Sequence, residues 1–262
     1  MDNLVIASSE ADAAAASAVE QHHAQMAGAL SVAVERLVSA VAAGDSSAAR
    51  DDLVRWCRTE LVPHALAEEK AMYPAAQAKE AGRLLVEGML AEHTVIVGLV
   101  EEVAAATDPV RAAAAAKALQ VMFDSHLAKE NELVLPLLVA SPDVSVAELL
   151  GGMHELLGGE GHEGHGHEEQ AHGHGHGHSC SCGEEDGADY PELDARVVPH
   201  AIRHATVFGA LDAVRPGGGM VLVAPHDPLP LLAQIEQRDP GAFEMSYLER
   251  GPEAWRLQFI RR

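Results

Sequence analysis

One spacing of histidine, glutamate and proline occurs twice in this chain and restricts the folds open to it. The first copy is His64-Ala-Leu-Ala-Glu68 with Pro74 six residues on, and the second is His126-Leu-Ala-Lys-Glu130 with Pro136 six residues on. In a helix, residues four apart lie on one face, one turn apart, so each copy points an imidazole and a carboxylate the same way. The repeat therefore predicts two helices that each offer a pair of metal ligands.

Apolar residues recur at steps of three and four along four long segments between about residues 11 and 140. Turn sequences near residues 44–46, 80–82 and 107–109 separate these segments, and such short connections favour an all-α up-down-up-down four-helix bundle. Pro63 should distort the second helix just ahead of His64. The inward stripes carry these polar side chains: His23, His64, Glu68, His93, His126 and Glu130.

Four imidazoles and two carboxylates inside one bundle would hold two adjacent metal ions, with two histidines on each ion and the carboxylates as bridges. This donor set suits iron, with manganese or zinc less favoured. An ionised glutamate facing a core without a counter-charge would cost on the order of several kcal/mol, and no Lys or Arg lies on the inward stripes. A metal pair therefore explains these residues better than hydrogen bonding within a core. Its open coordination positions would bind dioxygen, peroxide or nitric oxide.

Neighbours of these residues leave alternatives open. The first apolar stripe turns His23 inward and leaves His22 about 100° away around the helix, which favours His23 as the ligand. Glu69, beside Glu68, is either an additional ligand or a solvated charge. Tyr73 either packs in the core or donates a hydrogen bond or an electron to a bound oxygen species.

The region from 141 to 191 differs in composition, and we interpret it as an acidic, flexible linker. Pro142-Asp143 and Gly151-Gly152 bracket a short possible helix, after which Gly, His and Glu dominate and cannot build a core. No Lys or Arg occurs between Lys129 and Arg196. A histidine tract and two cysteines here would bind nickel, zinc or copper loosely. Their positions are His162, His165, His167, His172, His174, His176, His178, Cys180 and Cys182.

From 192 to 262 short strands alternate with short helices, which predicts a small α/β domain of order βαβαββ. The predicted strands cover 192–197, 220–224, 243–248 and 255–260, and the predicted helices cover 202–214 and 229–238. His200, His204 and the pair His226-Asp227 would lie at strand ends, where they either form a polar site or serve as caps and turns.

Charge and targeting signals exclude several classes of protein. The formal net charge of −22 repels nucleic acid and anionic membrane surfaces. No Lys or Arg precedes Arg36, so a basic secretory signal is missing, and we recognise no apolar run near the roughly 20 residues of a membrane span. Three cysteines give no disulfide framework. These features predict a cytoplasmic protein with no nucleic-acid or membrane partner.

The bundle region resembles a known family over roughly residues 11 to 140. Its pattern matches the hemerythrin-like HHE cation-binding family at His23, His64-xxx-Glu68-x5-Pro74, His93 and His126-xxx-Glu130-x5-Pro136. The resemblance implies a non-haem di-iron centre in which the four histidines ligate iron and the two glutamates bridge. Family members span oxygen binding, oxygen or iron sensing, nitric oxide chemistry, peroxide breakdown and repair of damaged iron centres. The resemblance therefore specifies the cofactor but leaves the reaction open.

The C-terminal region is similar to an uncharacterised domain that follows hemerythrin-like bundles in bacterial proteins. Its order of elements also resembles the SirA-like sulfur-carrier fold. Those carriers use a Cys-Pro motif after the first strand, whereas this chain has Val197-Val198-Pro199-His200 there and no cysteine after Cys182. Persulfide transfer is therefore disfavoured.

Three hypotheses for function follow. The first is a di-iron protein that binds or reduces dioxygen, nitric oxide or peroxide, in oxygen sensing or in the response to oxidative or nitrosative stress. The alternative is metal buffering or delivery by the histidine tract, with the bundle as a scaffold. The third is a sensor in which oxidation of the bundle changes the contact of the C-terminal domain with a protein partner.

Overall fold

The computed structural model describes residues 9–156, 190–198 and 202–262, which form a helical region followed by a small α/β domain, as predicted. The histidine tract, both linker cysteines and His200 lie outside the described residues. The helices are α1 (Glu10–Ala43), α2 (Ser47–Trp56), α3 (Val62–Ala71), α4 (Tyr73–Gln77), α5 (Arg83–Ala105), α6 (Pro109–Lys129), α7 (Leu135–Val139), α8 (Val146–Leu156), α9 (Arg203–Asp212) and α10 (Leu229–Arg238). The strands are β1 (Glu192–Asp194), β2 (Gly219–Ala224), β3 (Phe243–Arg250) and β4 (Trp255–Arg261).

Four helical rods make up the bundle: α1, then α2 to α4, then α5, then α6 with α7. The Ser9 side chain begins α1 by accepting a hydrogen bond from the Asp12 amide at 3.0 Å. Gly44 ends α1 in the left-handed conformation, with φ of 88°, which a residue without a side chain adopts readily. These caps define the first turn between rods where the sequence predicted it.

Two π-helical turns interrupt the second and fourth rods, each ending two residues before a proline. Cys57–Leu61 precedes Pro63, and Glu130–Val134 precedes Pro136. In a regular α-helix a proline clashes with the carbonyl four residues back and leaves it without a donor. The wider π-turn accommodates this change and lets the rod continue. The predicted distortion ahead of His64 thus takes the form of a π-turn.

A helix follows residue 140, in the region where the sequence predicted a short one. The short predicted helix is α8, and it runs through Gly151-Gly152 rather than ending there. Val146 and Met153 are buried, and Asp12 of α1 accepts hydrogen bonds from the Ser145 hydroxyl and the Ala147 amide, both at 3.1 Å. Apolar residues at helical spacing dock this helix on the bundle despite its two glycines.

The α/β domain has the predicted element order, with strands arranged as β1-β2-β4-β3 in one mixed sheet. β1 and β2 are parallel and are joined through α9, whereas β2 with β4 and β3 with β4 pair antiparallel. Met220 and Leu222 of β2 pack with Leu257 and Phe259 of β4 beneath α9 and α10. This core covers one face of the sheet.

The two domains pack directly on each other through α1 and α9. Val32 of α1 is only 2% exposed and belongs to the hydrophobic core of the α/β domain. The helices cross at Gly28 and Gly209, and a Cβ added to Gly209 would lie 2.1 Å from the carbonyl oxygen of Gln25. Helix α1 is therefore shared by two hydrophobic cores.

Helix α1 is also long and apolar enough to cross a membrane by length and composition, with a mean hydropathy of 1.5. Our sequence interpretation recognised no such run. In the structure Val34 and Leu37 lie in the bundle core and Val32 lies in the α/β core. Packing on both domains accounts for the apolar character of this helix.

Candidate metal centre

The structure brings together all six side chains of the predicted ligand set in the interior of the bundle. We call this set the polar cluster, and each member is 4% exposed or less. It consists of His23 from α1, His64 and Glu68 from α3, His93 from α5, His126 from α6 and Glu130 from the second π-turn. Buried polar groups are costly unless they are partnered, so the contacts inside the cluster decide what it can bind.

His23, His64 and one oxygen of Glu68 form one half of the cluster. Oε1 of Glu68 lies 2.9 Å from Nε2 of His64 and 3.2 Å from Nε2 of His23. The contact with His64 is short, but its angles are not those of a hydrogen bond. Neither ring nitrogen of His64 has a hydrogen-bond partner among the described residues. A buried imidazole in this state has a lone pair free for a cation.

His93, His126 and Glu130 form the other half. Nε2 of His93 lies 3.0 Å from Nε2 of His126 and 3.7 Å from the second oxygen of Glu68. Oε1 of Glu130 lies 3.6 Å from Nε2 of His126, and its Oε2 lies 3.7 Å from Nε2 of His23 in the first half. Each of the two carboxylates therefore directs one oxygen toward each half.

Three of the four histidines have an oxygen acceptor at the outer ring nitrogen, Nδ1. The pairs are His23 with Asn131 at 2.8 Å, His93 with Glu69 at 2.8 Å and His126 with Glu92 at 3.1 Å. Because these acceptors take the proton of Nδ1, Nε2 is the nitrogen that faces the cluster, and it carries the lone pair whenever the ring is neutral. The Nε2 atoms of His93 and His126 lie 3.0 Å apart, close enough for the two rings to share a proton or for a cation to take its place.

Sequence reasoning missed two of these outer acceptors, Asn131 and Glu92. It left Glu69 as an extra ligand or a solvated charge, whereas the structure places this carboxylate on the outer nitrogen of His93. All three acceptors directly precede or follow a member of the polar cluster in sequence. Adjacency to a ligand, about 100° further around the helix, marks these residues as candidates for the role, but which histidine each one reaches depends on how the helices pack.

His22 and His23 differ as the apolar stripe predicted. His23 is fully buried in the polar cluster, while His22 is exposed. The ring of His22 lies 5.0 Å from the ring of His64, centroid to centroid. Nε2 of His23 lies 3.2 Å from Glu68 and 3.7 Å from Glu130, so His23 belongs to the cluster.

Tyr73 belongs to the polar cluster as well as to the core. Its hydroxyl donates to Oε1 of Glu130 at 2.6 Å and lies 3.3 Å and 3.4 Å from Nε2 of His126 and His93. Its ring stacks on that of His93 with centroids 5.4 Å apart. Burial and the nearby carboxylates raise the pKa of Tyr73, so the phenol keeps its proton and acts as a donor.

The carboxylates dominate the electrostatics of the polar cluster. Burial disfavours the charged form of His23, but Glu68 and Glu130 outweigh it and raise the pKa of His23 to about 9. Burial alone would raise the pKa of Glu68, yet His64 and His23 hold this pKa well below its usual range. The cluster thus attracts positive charge, and it contains no Lys or Arg of its own.

The donor set fits a metal. Ligand atoms of His23, His64 and Glu68 lie within 4.8 Å of one another, and so do those of Glu68, His93, His126 and Glu130. A bound cation would give partners to the unpaired Nε2 of His64 and the unpaired Oε2 of Glu130. Imidazole with carboxylate is a donor set that suits iron.

Among the described residues of the α/β domain, the predicted polar side chains form no comparable site. His204 is exposed and contacts the side chain of Gln234 at 3.1 Å, and His226 contacts the backbone carbonyl of Asp227 at 3.2 Å. The Asp227 carboxylate accepts a hydrogen bond from Tyr247 at 2.8 Å. Within the described ranges, neither histidine joins a group of three metal-capable side chains.

Two family models match separate parts of the chain. One, the hemerythrin HHE cation binding domain, covers residues 14–138, and the other, an uncharacterized conserved protein family (DUF2249), covers residues 192–261. Comparison with curated proteins and with solved structures gave no match. The resemblance of the C-terminal region to SirA-like carriers is not confirmed. With its buried histidines and glutamates, this chain therefore carries a hemerythrin HHE cation-binding domain, followed by a separate DUF2249 domain.

Proposed function

We propose that the bundle holds two iron ions and that it binds or reduces a small oxidant, namely dioxygen, nitric oxide or peroxide. One observation carries the proposal: Glu68 and Glu130 each direct one oxygen toward the His23/His64 half and the other toward the His93/His126 half. Two bridging carboxylates with two histidines on each side form a ligand set for a pair of metal ions. Such a set leaves coordination positions open.

When bound, the iron pair would supply those open positions and the electrons for reducing an oxidant. The protein's own residues prepare the site. The outer acceptors hold three imidazole rings with Nε2 inward. Tyr73 holds a proton at its hydroxyl 2.6 Å from Glu130, where it can be donated to a ligand that arrives beside that carboxylate.

Apolar layers on both sides of the polar cluster exclude water from it. Val19 and Met89 lie one turn before His23 and His93 and belong to one hydrophobic cluster. Met26 and Ile96 lie about one turn after those histidines and belong to another. Both layers are buried, which supports the proposal of a small uncharged ligand over a large or charged one.

Iron content of matched histidine variants tests the metal site. Full-length protein from iron-supplemented cells should contain about two iron ions per chain, as a carboxylate-bridged pair requires. His23→Ala should lose most of this iron, whereas His22→Ala, one residue away but exposed, should keep it. Iron-free wild-type protein, or equal iron in the two variants, would contradict the proposed site.

A second experiment tests the chemistry. The reduced iron-loaded protein is exposed separately to dioxygen, nitric oxide and peroxide, and its visible absorption is followed with time. We expect at least one oxidant to change the spectrum, and repeated additions separate turnover from stoichiometric binding. If none of the three oxidants changed the spectrum of the reduced protein, a role with small oxidants would be ruled out.

A further inference from the structure

Both histidines in the His93/His126 half of the polar cluster have a carboxylate at the outer nitrogen. Nδ1 of His93 lies 2.8 Å from Oε1 of Glu69, and Nδ1 of His126 lies 3.1 Å from Oε2 of Glu92. Lys129 pairs with the other oxygen of Glu92, whereas Glu69 has no ion-pair partner except His93 among the described residues. A carboxylate that accepts the Nδ1 proton makes Nε2 a stronger electron-pair donor, so both histidines are strong metal ligands.

The outer nitrogens of the His23/His64 half have weaker support. Nδ1 of His23 lies 2.8 Å from the side-chain oxygen of Asn131, which belongs to a neutral amide. Nδ1 of His64 is buried and has no hydrogen-bond partner among the described residues. Hydrogen bonds to a neutral acceptor are weaker than those to a carboxylate, and a ring without an acceptor is not held in the orientation that ligation needs. The histidines of this half are therefore the weaker ligands.

The remaining groups of the cluster do not offset this difference. Glu68 and Glu130 each direct one oxygen toward each half, so they contribute to both. Tyr73 lies in the better supported half, with its hydroxyl 3.3 Å and 3.4 Å from Nε2 of His126 and His93. It donates its proton to Glu130 at 2.6 Å and adds no charge to that half. The acceptors at Nδ1 are therefore the main electrostatic difference between the halves.

We propose, on the basis of the iron pair in the proposed function, that its two positions fill in a fixed order. The first ferrous ion occupies the His93/His126 half, and the second, more weakly held ion occupies the His23/His64 half. Acceptors on a ligating histidine change metal affinity by about 10- to 100-fold, so the affinities of the two halves should differ at least about tenfold. When iron is scarce, the chain therefore holds a single ion between His93 and His126.

Ligand variants from the two halves locate the first ion. Metal-free full-length protein is titrated anaerobically with ferrous ion alone, and bound iron is measured by equilibrium dialysis. Repulsion between two ions gives two binding steps even for equal halves, so the comparison of variants carries the test. His64→Ala should lose the second step and keep the tight first one, whereas His93→Ala should weaken the first step about tenfold or more. Equal first steps in the two variants, or a tighter first step in His93→Ala, would overturn the proposal.

Exchange of the outer acceptors tests the cause while all six ligands stay in place. Glu69→Gln combined with Glu92→Gln should weaken the first step about tenfold or more, and Asn131→Asp should tighten the second step by a similar factor. Glu87→Gln, an exposed acid on α5, is the matched control and should change neither step. Circular dichroism with thermal melting shows whether each variant is folded. An unchanged first step in the folded double variant would overturn the proposal.

The same titration separates this order of filling from the iron pair itself. Wild-type protein that binds two ferrous ions, with first steps that are equal in His64→Ala and His93→Ala, would contradict the order alone. Wild-type protein that binds no ferrous ion in the polar cluster would contradict the proposed function. The histidine tract is identical in every variant, so any iron that it binds cancels in the comparison.

Discussion

The position of α1 between two hydrophobic cores makes a prediction about two valines on that helix. Val32 is 2% exposed and packs in the α/β core with Val207 and Leu211, whereas Val34, fully buried two residues later, packs in the bundle core. Because the residues share a type and a helix, replacing either by alanine changes helix propensity equally. Any difference between the variants therefore reports which core each side chain supports.

The expected cost is similar for both substitutions. Valine to alanine removes two methyl groups, at about 0.8 kcal/mol each, which gives about 1.6 kcal/mol of lost burial. The cavity left in a rigid core adds about 1 kcal/mol. Each variant should therefore lower the free energy of unfolding of the core it supports by about 2 to 3 kcal/mol.

Hydrogen exchange read by mass spectrometry separates the two cores. In Val32→Ala, amide exchange should accelerate in β2 and α9 of the α/β domain, with little change in α5 and α6. In Val34→Ala, the acceleration should appear in the bundle helices. If Val32→Ala left exchange in β2 and α9 at the wild-type rate, the proposed sharing of α1 by both domains would be refuted.

Three further predictions concern other parts of the molecule. Gly209→Ala should lower the free energy of unfolding by about 1 to 3 kcal/mol, because its Cβ would lie 2.1 Å from a carbonyl oxygen of α1. Gly88→Ala, on open surface, should instead raise the free energy of unfolding by up to about 1 kcal/mol. Equal melting temperatures for the two variants would contradict the close crossing of α1 and α9. The Cys57 thiol is buried, which raises its pKa to about 12. It should therefore resist iodoacetamide in folded protein and react after unfolding; mass-spectrometric detection of labelled Cys57 in folded protein would argue against this burial. Glu92→Gln should weaken iron binding about tenfold or more by weakening the acceptor for His126, and unchanged affinity in equilibrium dialysis would exclude that role.

Helical periodicity was enough to predict the rods and the direction of the cluster side chains. The stripe through His23 and the spacing of His64 with Glu68 depend only on residues in the same helix, so the sequence carries them directly. The element order of the α/β domain was predictable for the same reason, since alternation and turn residues are local signals.

Contacts between helices were not predictable in this way. The pairing of Asn131 with His23 and of Glu92 with His126 depends on how neighbouring helices are rotated about their axes. The crossing at Gly28 and Gly209 depends on two glycines far apart in sequence that meet only after both domains have folded. Neither property leaves a pattern within a single segment.

X-ray absorption spectroscopy at the iron edge tests the central claim most directly. For the full-length iron-loaded protein we predict about two imidazole ligands per iron, oxygen ligands from the shared glutamates, and a second iron within about 4 Å. A spectrum that lacks iron–iron scattering, or that shows sulfur ligands from cysteine, would contradict a carboxylate-bridged iron pair in the polar cluster.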